Sequence, residues 1–194
     1  MPAPNRTTFA ILGFLSLGPM SGYDIKKLVE GSIDNFWSES FGQIYPALRL
    51  LSERGLIEKH GEKSGHGRPR HVYSIRERGR EVMAAWLREA TEPAPVRNEL
   101  LLKLFFGVNS DREANRRQIL AYRDQMSRDL ERYRGITRQL QSKHGSVDLP
   151  YWLLTLRFGE RDRQAHIDWC DEALALLDQL PEPREREREK EKAS

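Results

Sequence analysis

Cysteine is nearly absent from this chain of 194 residues, and long apolar runs are absent altogether. The one cysteine, Cys170, can form no internal disulfide, which fits a reducing compartment. No apolar run approaches the roughly 18 residues of a membrane-spanning helix, and the first residues show no secretory signal. We therefore expect a cytoplasmic protein with no membrane partner.

Recognisable catalytic and metal-binding sets are also missing. No Ser/His/Asp or Cys/His set stands in a familiar arrangement, and Cys170 has the acidic neighbours Asp168 and Asp171, which would raise a thiol pKa. The histidines between residues 60 and 71 fit no zinc-binding spacing. We therefore predict that the protein is not an enzyme and that it needs no metal and no cofactor.

The small net charge of +3 is unevenly distributed along the chain. Residues 1–90 hold 13 Lys and Arg against 10 Asp and Glu, whereas residues 91–180 hold 14 of each and residues 181–194 hold 5 of each. The basic residues cluster between residues 63 and 80, where they face only Glu77. They are Lys63, Arg68, Arg70, Arg76, Arg78 and Arg80. Such a patch suits phosphate binding, and a merely solvated surface is the alternative.

A short helix is followed at once by a hairpin pattern in segment 42–75. Apolar residues recur at helical spacing as far as Gly55, which stands where a helix C-terminus favours a left-handed residue. Two strand-like segments follow at 56–63 and 71–75, and the glycine-rich tip at 64–69 joins them. A helix and a basic hairpin in this order predict a winged helix-turn-helix domain.

Three motifs in this segment resemble the PadR family of bacterial transcriptional regulators. They are Gly42-Gln43-Ile44-Tyr45-Pro46-Ala47-Leu48, then Leu51-x-x-Arg54-Gly55-Leu56-Ile57-Glu58, then Gly67-Arg68-Pro69-Arg70-x-x-Tyr73. The segments at 9–15 and 18–25 are similar to the first two helices of that family, and residues 98–180 resemble, more weakly, its Vir-type C-terminal domain. The resemblance implies a DNA-binding regulator, usually a repressor, that dimerises through its C-terminal domain.

The remaining sequence has helical periodicity and predicts a mainly α fold with a small β-hairpin wing. Helices are predicted at 7–17, 22–30, 77–87, 98–106, 111–142 and 149–180. We predict a winged helix-turn-helix DNA-binding domain at 1–90, a helical dimerisation domain at 96–180, and a charged tail at 181–194. The proline-rich segment at 91–95 is the predicted linker.

Local signals refine the ends and the buried faces of these helices. Ser21 with Asp24 and Ser110 with Glu113 have the spacing of capping boxes. The helix at 98–106 is apolar nearly all round, so we expect it to be buried. Six residues of the first domain are also expected in its core: Tyr23, Ile25, Leu28, Val29, Phe36 and Trp37.

The helix at the start of segment 42–75 is the candidate recognition helix. Ser38 and Ser40 are candidate caps at its N-terminus, where free N–H groups favour a phosphate. Gln43 could read adenine through its amide, and Arg49 could reach a phosphate or a guanine. The resemblance implies a DNA-facing role for Tyr45. The alternative for each is an ordinary surface side chain.

The hairpin supplies four further candidate DNA contacts: Lys63, His66, Arg68 and Arg70. Because a narrow minor groove attracts arginine, Arg68 is the candidate for insertion there. Lys63 and Arg70 are expected to contact phosphates. A winged-helix scaffold that binds protein without specific DNA binding is the alternative function, and the basic charge of the hairpin argues against it.

The C-terminal half predicts a homodimer, because three helices alone cannot easily bury its apolar stripes. Its candidate dimer interface consists of Met126, Leu130, Tyr133, Trp169, Ala173 and Leu177. Five aromatic residues could line a cavity for a small apolar or aromatic effector: Trp86, Phe105, Phe106, Trp152 and Trp169. An ordinary core and dimer interface is the alternative. The prediction is a regulator that binds a palindromic operator on double-stranded DNA.

Overall fold

The chain divides into two units, residues 1–93 and 94–194, in a computed structural model that describes residues 6–32, 36–37, 41–63, 70–91, 97–142 and 146–180. The predicted tail and most of the predicted linker lie outside the described residues. None of the described helices is long and apolar enough to cross a membrane. The DNA-binding role predicted for the first unit and the dimerisation role predicted for the second stay predictions.

The first unit contains four helices and three short strands among its described residues. In chain order they are α1 (Arg6–Leu17), β1 (Met20–Ser21), α2 (Gly22–Ser32), α3 (Ile44–Glu53), β2 (Ile57–Lys63), β3 (Arg70–Ile75) and α4 (Glu77–Trp86). The second unit contains α5 (Glu99–Phe105), α6 (Arg112–Gln141) and α7 (Leu149–Gln179). Short 3₁₀ turns at Phe41–Gln43 and Gly107–Asn109 precede α3 and α6. The predicted, mainly helical fold with a small hairpin is confirmed.

The sheet has the order β1-β3-β2, and both pairings are antiparallel. The predicted hairpin is confirmed, with Ile57 opposite Ile75. The third strand, β1, was not predicted, because two residues are too few for an alternating pattern. It pairs Ser21 with Val72 and so attaches the start of α2 to the sheet.

The capping box predicted at the start of α2 and the left-handed glycine predicted after α3 are confirmed, whereas the N-cap of α3 is Gln43 rather than the predicted Ser38 or Ser40. The Ser21 N–H donates to Asp24 Oδ2 at 3.0 Å, and the Asp24 N–H donates to Ser21 Oγ at 3.2 Å. Gly55 adopts a φ of +66° after α3. Its N–H donates to the Ser52 carbonyl, and the Leu56 N–H donates to a carbonyl one residue earlier in α3. These bonds close the helix and turn the chain directly into β2.

The core of the first unit lies between α1, α2, α3 and the sheet, and Leu12, Ile25 and Leu51 are wholly buried in it. Three core predictions are wrong, because Tyr23, Leu28 and Phe36 are exposed. Their exposed fractions are 37%, 37% and 49%, whereas Leu12 and Ile25 are 0% exposed. Helical spacing on α2 therefore predicted correctly only the two residues that are buried, Ile25 and Val29.

In the second unit, α6 and α7 form a long antiparallel pair. Arg116 contacts Asp178 near one end, and Thr137 hydrogen-bonds Glu160 near the other. Between these contacts the two helices bury an apolar seam. It is formed by Met126, Leu130 and Ile167, with Tyr122 packed against it.

The expectation that the helix at 98–106 is buried is wrong. Only Leu100 of α5 is buried, whereas Phe105 is 81% exposed. The reason is that α5 has seven residues and packs on α6 by one face. The cap of α6 also differs from the prediction, since Asp111 rather than Ser110 accepts the Ala114 N–H.

Candidate nucleic-acid interface

The two faces of α3 have opposite environments. Ile44, Leu48 and Leu51 are buried in the core of the first unit, as their spacing predicts. The other face carries Tyr45 and Arg49, which are exposed. Because the buried face fixes the helix on its domain, these exposed side chains have a defined orientation on the surface.

Gln43 lies at the N-cap of α3, at the end of the preceding 3₁₀ turn, rather than on the first helical turn. Its side chain makes no capping hydrogen bond and is exposed. The amide therefore keeps its donor and acceptor atoms available for a contact outside the domain.

Tyr45 is 62% exposed, yet its ring touches the domain on one side. The ring lies against Gly22, the first residue of α2. Burial raises the pKa of Tyr73 on β3, and the neighbouring Tyr45 phenol raises that pKa further. Tyr45 is therefore a surface side chain whose ring lies near both α2 and the hairpin.

Arg49 is the most exposed of these side chains, and it makes a weak local contact. Its Nε lies 3.8 Å from Glu53 Oε1, one helical turn further along α3. Exposed ion pairs of this kind contribute little to stability. The guanidinium can therefore leave Glu53 for a phosphate at small cost.

The structure describes only some of the other candidate DNA contacts. Lys63 and Arg70 are paired at the ends of β2 and β3, and their side chains lie outside what is described. The remaining candidates, Ser38, Ser40, His66 and Arg68, lie outside the described residues altogether. Their predicted DNA contacts stay predictions.

The described base of the hairpin shows how its basic residues are arranged. Arg76 lies 3.4 Å from Glu58 across the sheet, so part of its charge is neutralised. Arg78 and Arg80, at the start of α4, are exposed. His60 shares a hydrogen bond of 2.6 Å with Ser74 on the same hairpin. One ion pair at the base of the hairpin therefore lowers the net positive charge of the predicted basic patch.

The predicted effector residues belong to separate environments. In the first unit, Trp86 stacks on Phe9 with a centroid distance of 4.5 Å and contributes to the domain core. In the second unit, Trp169 lines a groove of about 280 Å³, whereas Phe106 lines another of about 390 Å³. Phe105 and Trp152 are exposed. The described residues of the second unit therefore do not bring its aromatic candidates into one cavity.

The predicted dimer residues also divide into two groups. Met126, Leu130 and Tyr133 are buried between α6 and α7 of the same chain, which places them in its core rather than in a seam between two copies. Their heptad spacing is satisfied by α7, an intrachain partner. Trp169, Ala173 and Leu177 are partly exposed on α7. Any second copy must therefore contact other apolar residues as well.

Cys170 has the environment expected from its sequence neighbours. Burial raises the pKa of its thiol, the adjacent Asp171 carboxylate raises it further, and Arg123 lowers it. A thiol with a raised pKa is a poor nucleophile at neutral pH.

Comparison with known proteins identifies both halves of the chain. Residues 11–85 match the transcriptional regulator PadR-like family, and residues 96–178 match the virulence activator alpha C-terminal family. The probable transcriptional regulator Rv1176c of Mycobacterium tuberculosis is 31% identical over 183 residues, covering 88% of this chain and 96% of the relative. The chain belongs to the PadR family of transcriptional regulators.

Solved structures of the PadR family share the fold. The negative transcriptional regulator PadR of Bacillus subtilis is 28% identical over 181 residues, covering 88% of this chain and 97% of that protein. Its crystal structure in complex with operator DNA aligns with a TM-score of 0.77 at 26% identity, covering 88% and 98% of the two chains. Its complex with p-coumaric acid aligns with a TM-score of 0.72 at 25% identity, covering 93% and 100%.

A solved structure of a protein named as an activator shares the same fold. The virulence activator AphA of Vibrio cholerae aligns with a TM-score of 0.70 at 30% identity, covering 89% of this chain and 98% of that chain. These relatives are described as a negative transcriptional regulator, which has been crystallised with operator DNA, and as a virulence activator. This chain is accordingly a winged-helix regulator of transcription.

Proposed function

We propose that this PadR-family protein binds a palindromic operator as a homodimer and represses the adjoining gene. The observation that carries the proposal is the outward side of α3 and its N-cap, where Tyr45 and Arg49 on the helix and Gln43 at the N-cap are exposed opposite a buried apolar face. A recognition helix needs this combination, because base contacts require side chains held in fixed register.

The three side chains have different proposed roles. The Gln43 amide can donate to and accept from one adenine edge, which gives sequence discrimination. The Tyr45 phenol can donate to a phosphate oxygen, which fixes register without reading sequence. Arg49 carries a full positive charge on a mobile side chain, so it suits a phosphate or a guanine edge.

The homodimer is supported by exposed apolar residues in the second unit. Phe105 on α5 is 81% exposed, and Phe158 on α7 is 68% exposed. Others on the same two helices are exposed as well: Leu101, Leu102, Tyr151 and Leu154. Large exposed apolar areas mark interaction surfaces, and a second copy is the partner proposed. A two-fold dimer would in turn require a palindromic operator.

Repression and effector release are proposed from relatives. The Bacillus subtilis relative is a negative regulator and has been crystallised with p-coumaric acid. In this chain the groove beside Trp169 combines the indole and Leu101 with polar atoms of Asn98 and His166. Such a lining suits a small aromatic molecule that carries a hydrogen-bonding group.

The proposal is tested by selecting bound sequences from random duplex DNA with the full chain. We expect enrichment of a two-fold symmetric sequence, and we expect its affinity to fall steeply with salt as phosphate contacts are lost. Enrichment of no sequence, together with salt-independent binding, would reject the proposal and favour a protein-binding winged helix.

A further inference from the structure

The start of α2 and the outward face of α3 approach each other unusually closely at Gly22. A Cβ atom built on Gly22 would lie 2.9 Å from Cε1 and 3.3 Å from Cζ of Tyr45, and 3.1 Å from Cδ1 of Leu48. Real Cβ atoms essentially never come within 3.0 Å of another heavy atom. The Tyr45 ring therefore occupies the space that any other residue at position 22 would need.

The backbone itself does not require glycine at position 22. Among the described residues a positive φ occurs only at Gly18 and Gly55, so Gly22 has a conformation that alanine can adopt. Alanine also has a higher intrinsic helix propensity than glycine. The physical reason for glycine at this position is thus the close packing of the Tyr45 ring.

The surface under the Tyr45 ring is fixed from several directions. Ser21 is buried, is paired with Val72 in the sheet, and closes a capping box with Asp24. Leu48, on the far side of the contact, is buried in the core. Gly22 therefore lies where β3, α2 and α3 pack together.

We infer that Gly22 is a positioning residue for DNA binding, because the absence of a Cβ at this position lets the hydroxyl-bearing edge of the Tyr45 ring pack against α2 and so restricts the orientation of that ring. An exposed tyrosine ordinarily samples several rotamers, and binding has to overcome the loss of that freedom. Contact with Gly22 removes part of this freedom before DNA arrives. The inference rests on the proposed function, in which Tyr45 contacts a phosphate.

The test substitutes Gly22→Ala in the full chain, with Gly13→Ala in α1 as the matched control. A Cβ at Gly13 meets no heavy atom within 4 Å, so only Gly22→Ala displaces a neighbour. We expect Gly22→Ala to weaken binding to the selected operator by about tenfold, the loss of one hydrogen bond to a charged group. The urea midpoint should fall only slightly, because the exposed Tyr45 ring can move aside and Leu48 Cδ1 has to shift by only a few tenths of an ångström.

A double-mutant cycle with Tyr45→Ala separates positioning from a general effect on the fold. We expect Gly22→Ala to have no further effect on affinity once the ring is gone. An equal loss in both backgrounds would overturn the inference. If Tyr45→Ala weakens binding and Gly22→Ala does not, the inference fails while the role of Tyr45 stands. If Tyr45→Ala leaves affinity unchanged, the proposed role of Tyr45 itself fails, and the inference with it.

A second measurement does not depend on the folding of any Gly22 variant. In wild-type protein labelled with 3-fluorotyrosine, the Tyr45 signal is assigned from its disappearance in Tyr45→Phe. We expect fluorine relaxation of this signal to show a restricted ring in the absence of DNA. A Tyr45 ring as mobile as 3-fluorotyrosine in the urea-unfolded protein would overturn the inference.

Discussion

The Arg123 guanidinium on α6 donates two hydrogen bonds to the Asp171 carboxylate on α7, from Nε at 2.6 Å and from Nη2 at 3.2 Å. These bonds lower the pKa of Asp171, burial raises it, and the positive charge of Arg123 lowers it further, so that the net shift is downward. A depressed carboxyl pKa means that the folded state favours the ionised form. The pair therefore stabilises the fold above the unfolded pKa of about 3.9, and this contribution is lost as pH falls through the lower, folded pKa.

We predict that Asp171→Asn lowers the urea midpoint at neutral pH and that the difference from wild type shrinks below about pH 4. Urea unfolding of both proteins across the acid range measures this. Glu172→Gln is the control, because this neighbouring carboxylate is also exposed. A difference that stays constant down to the lowest pH would show that the carboxylate charge is not the cause.

Leu130 is predicted to stabilise the second unit by packing within one chain. Its contribution to the unfolding free energy should not depend on a second copy. Leu130 is 5% exposed within one chain, so Leu130→Ala should cost about 2 to 5 kcal/mol of unfolding free energy. Leu87→Ala, which removes a 66% exposed side chain just after α4, should change it by less than about 0.5 kcal/mol. Urea unfolding at several protein concentrations checks both values, and equal costs for the two variants would contradict the packing described.

The dimer is predicted to use the exposed aromatic residues of the second unit. The double variant Phe105→Ser and Phe158→Ser should be folded and monomeric, because both side chains are exposed in the single chain. Size-exclusion chromatography with light scattering measures the mass. Leu17→Ser removes an exposed apolar residue from the first unit and serves as the control. A folded double variant that remains dimeric would place the interface elsewhere.

Gln43→Ala is predicted to relax sequence discrimination. Loss of a bidentate base contact should cost about 1 to 3 kcal/mol on the preferred operator and flatten the preference at one base-pair position. A library of operator variants measured with both proteins gives the profile. Gln118→Ala, an exposed glutamine on α6, should leave it unchanged. A Gln43→Ala profile identical to wild type would assign the reading face to other residues.

The hairpin is predicted to contribute affinity with little sequence preference. Lys63→Ala and Arg68→Ala should weaken operator and non-operator binding by similar factors, and each should reduce the salt slope by about one phosphate contact. If Arg68 enters a narrow minor groove, its loss will instead affect A·T-rich flanks more strongly. Titrations on two operators that differ only in flanking A·T content distinguish these results.

Local chemistry determined the helices and the hairpin from sequence alone. The capping pair Ser21 and Asp24 and the left-handed Gly55 act on neighbouring backbone groups, so their effect does not depend on the rest of the fold. The buried face of α3 was also predictable, because the helical spacing of its apolar residues indicates which side faces the core. The PadR motifs fall within this locally determined region.

Only the tertiary structure decided which apolar residues are buried and by what. Leu130 and Phe105 are both apolar residues on predicted helices, yet α7 covers the first, whereas the second is 81% exposed. The close approach of Gly22 and Tyr45 joins residues from two helices, and nothing in either local pattern reveals it. Burial and packing depend on elements distant in sequence, whereas caps, turns and periodicity depend on neighbours.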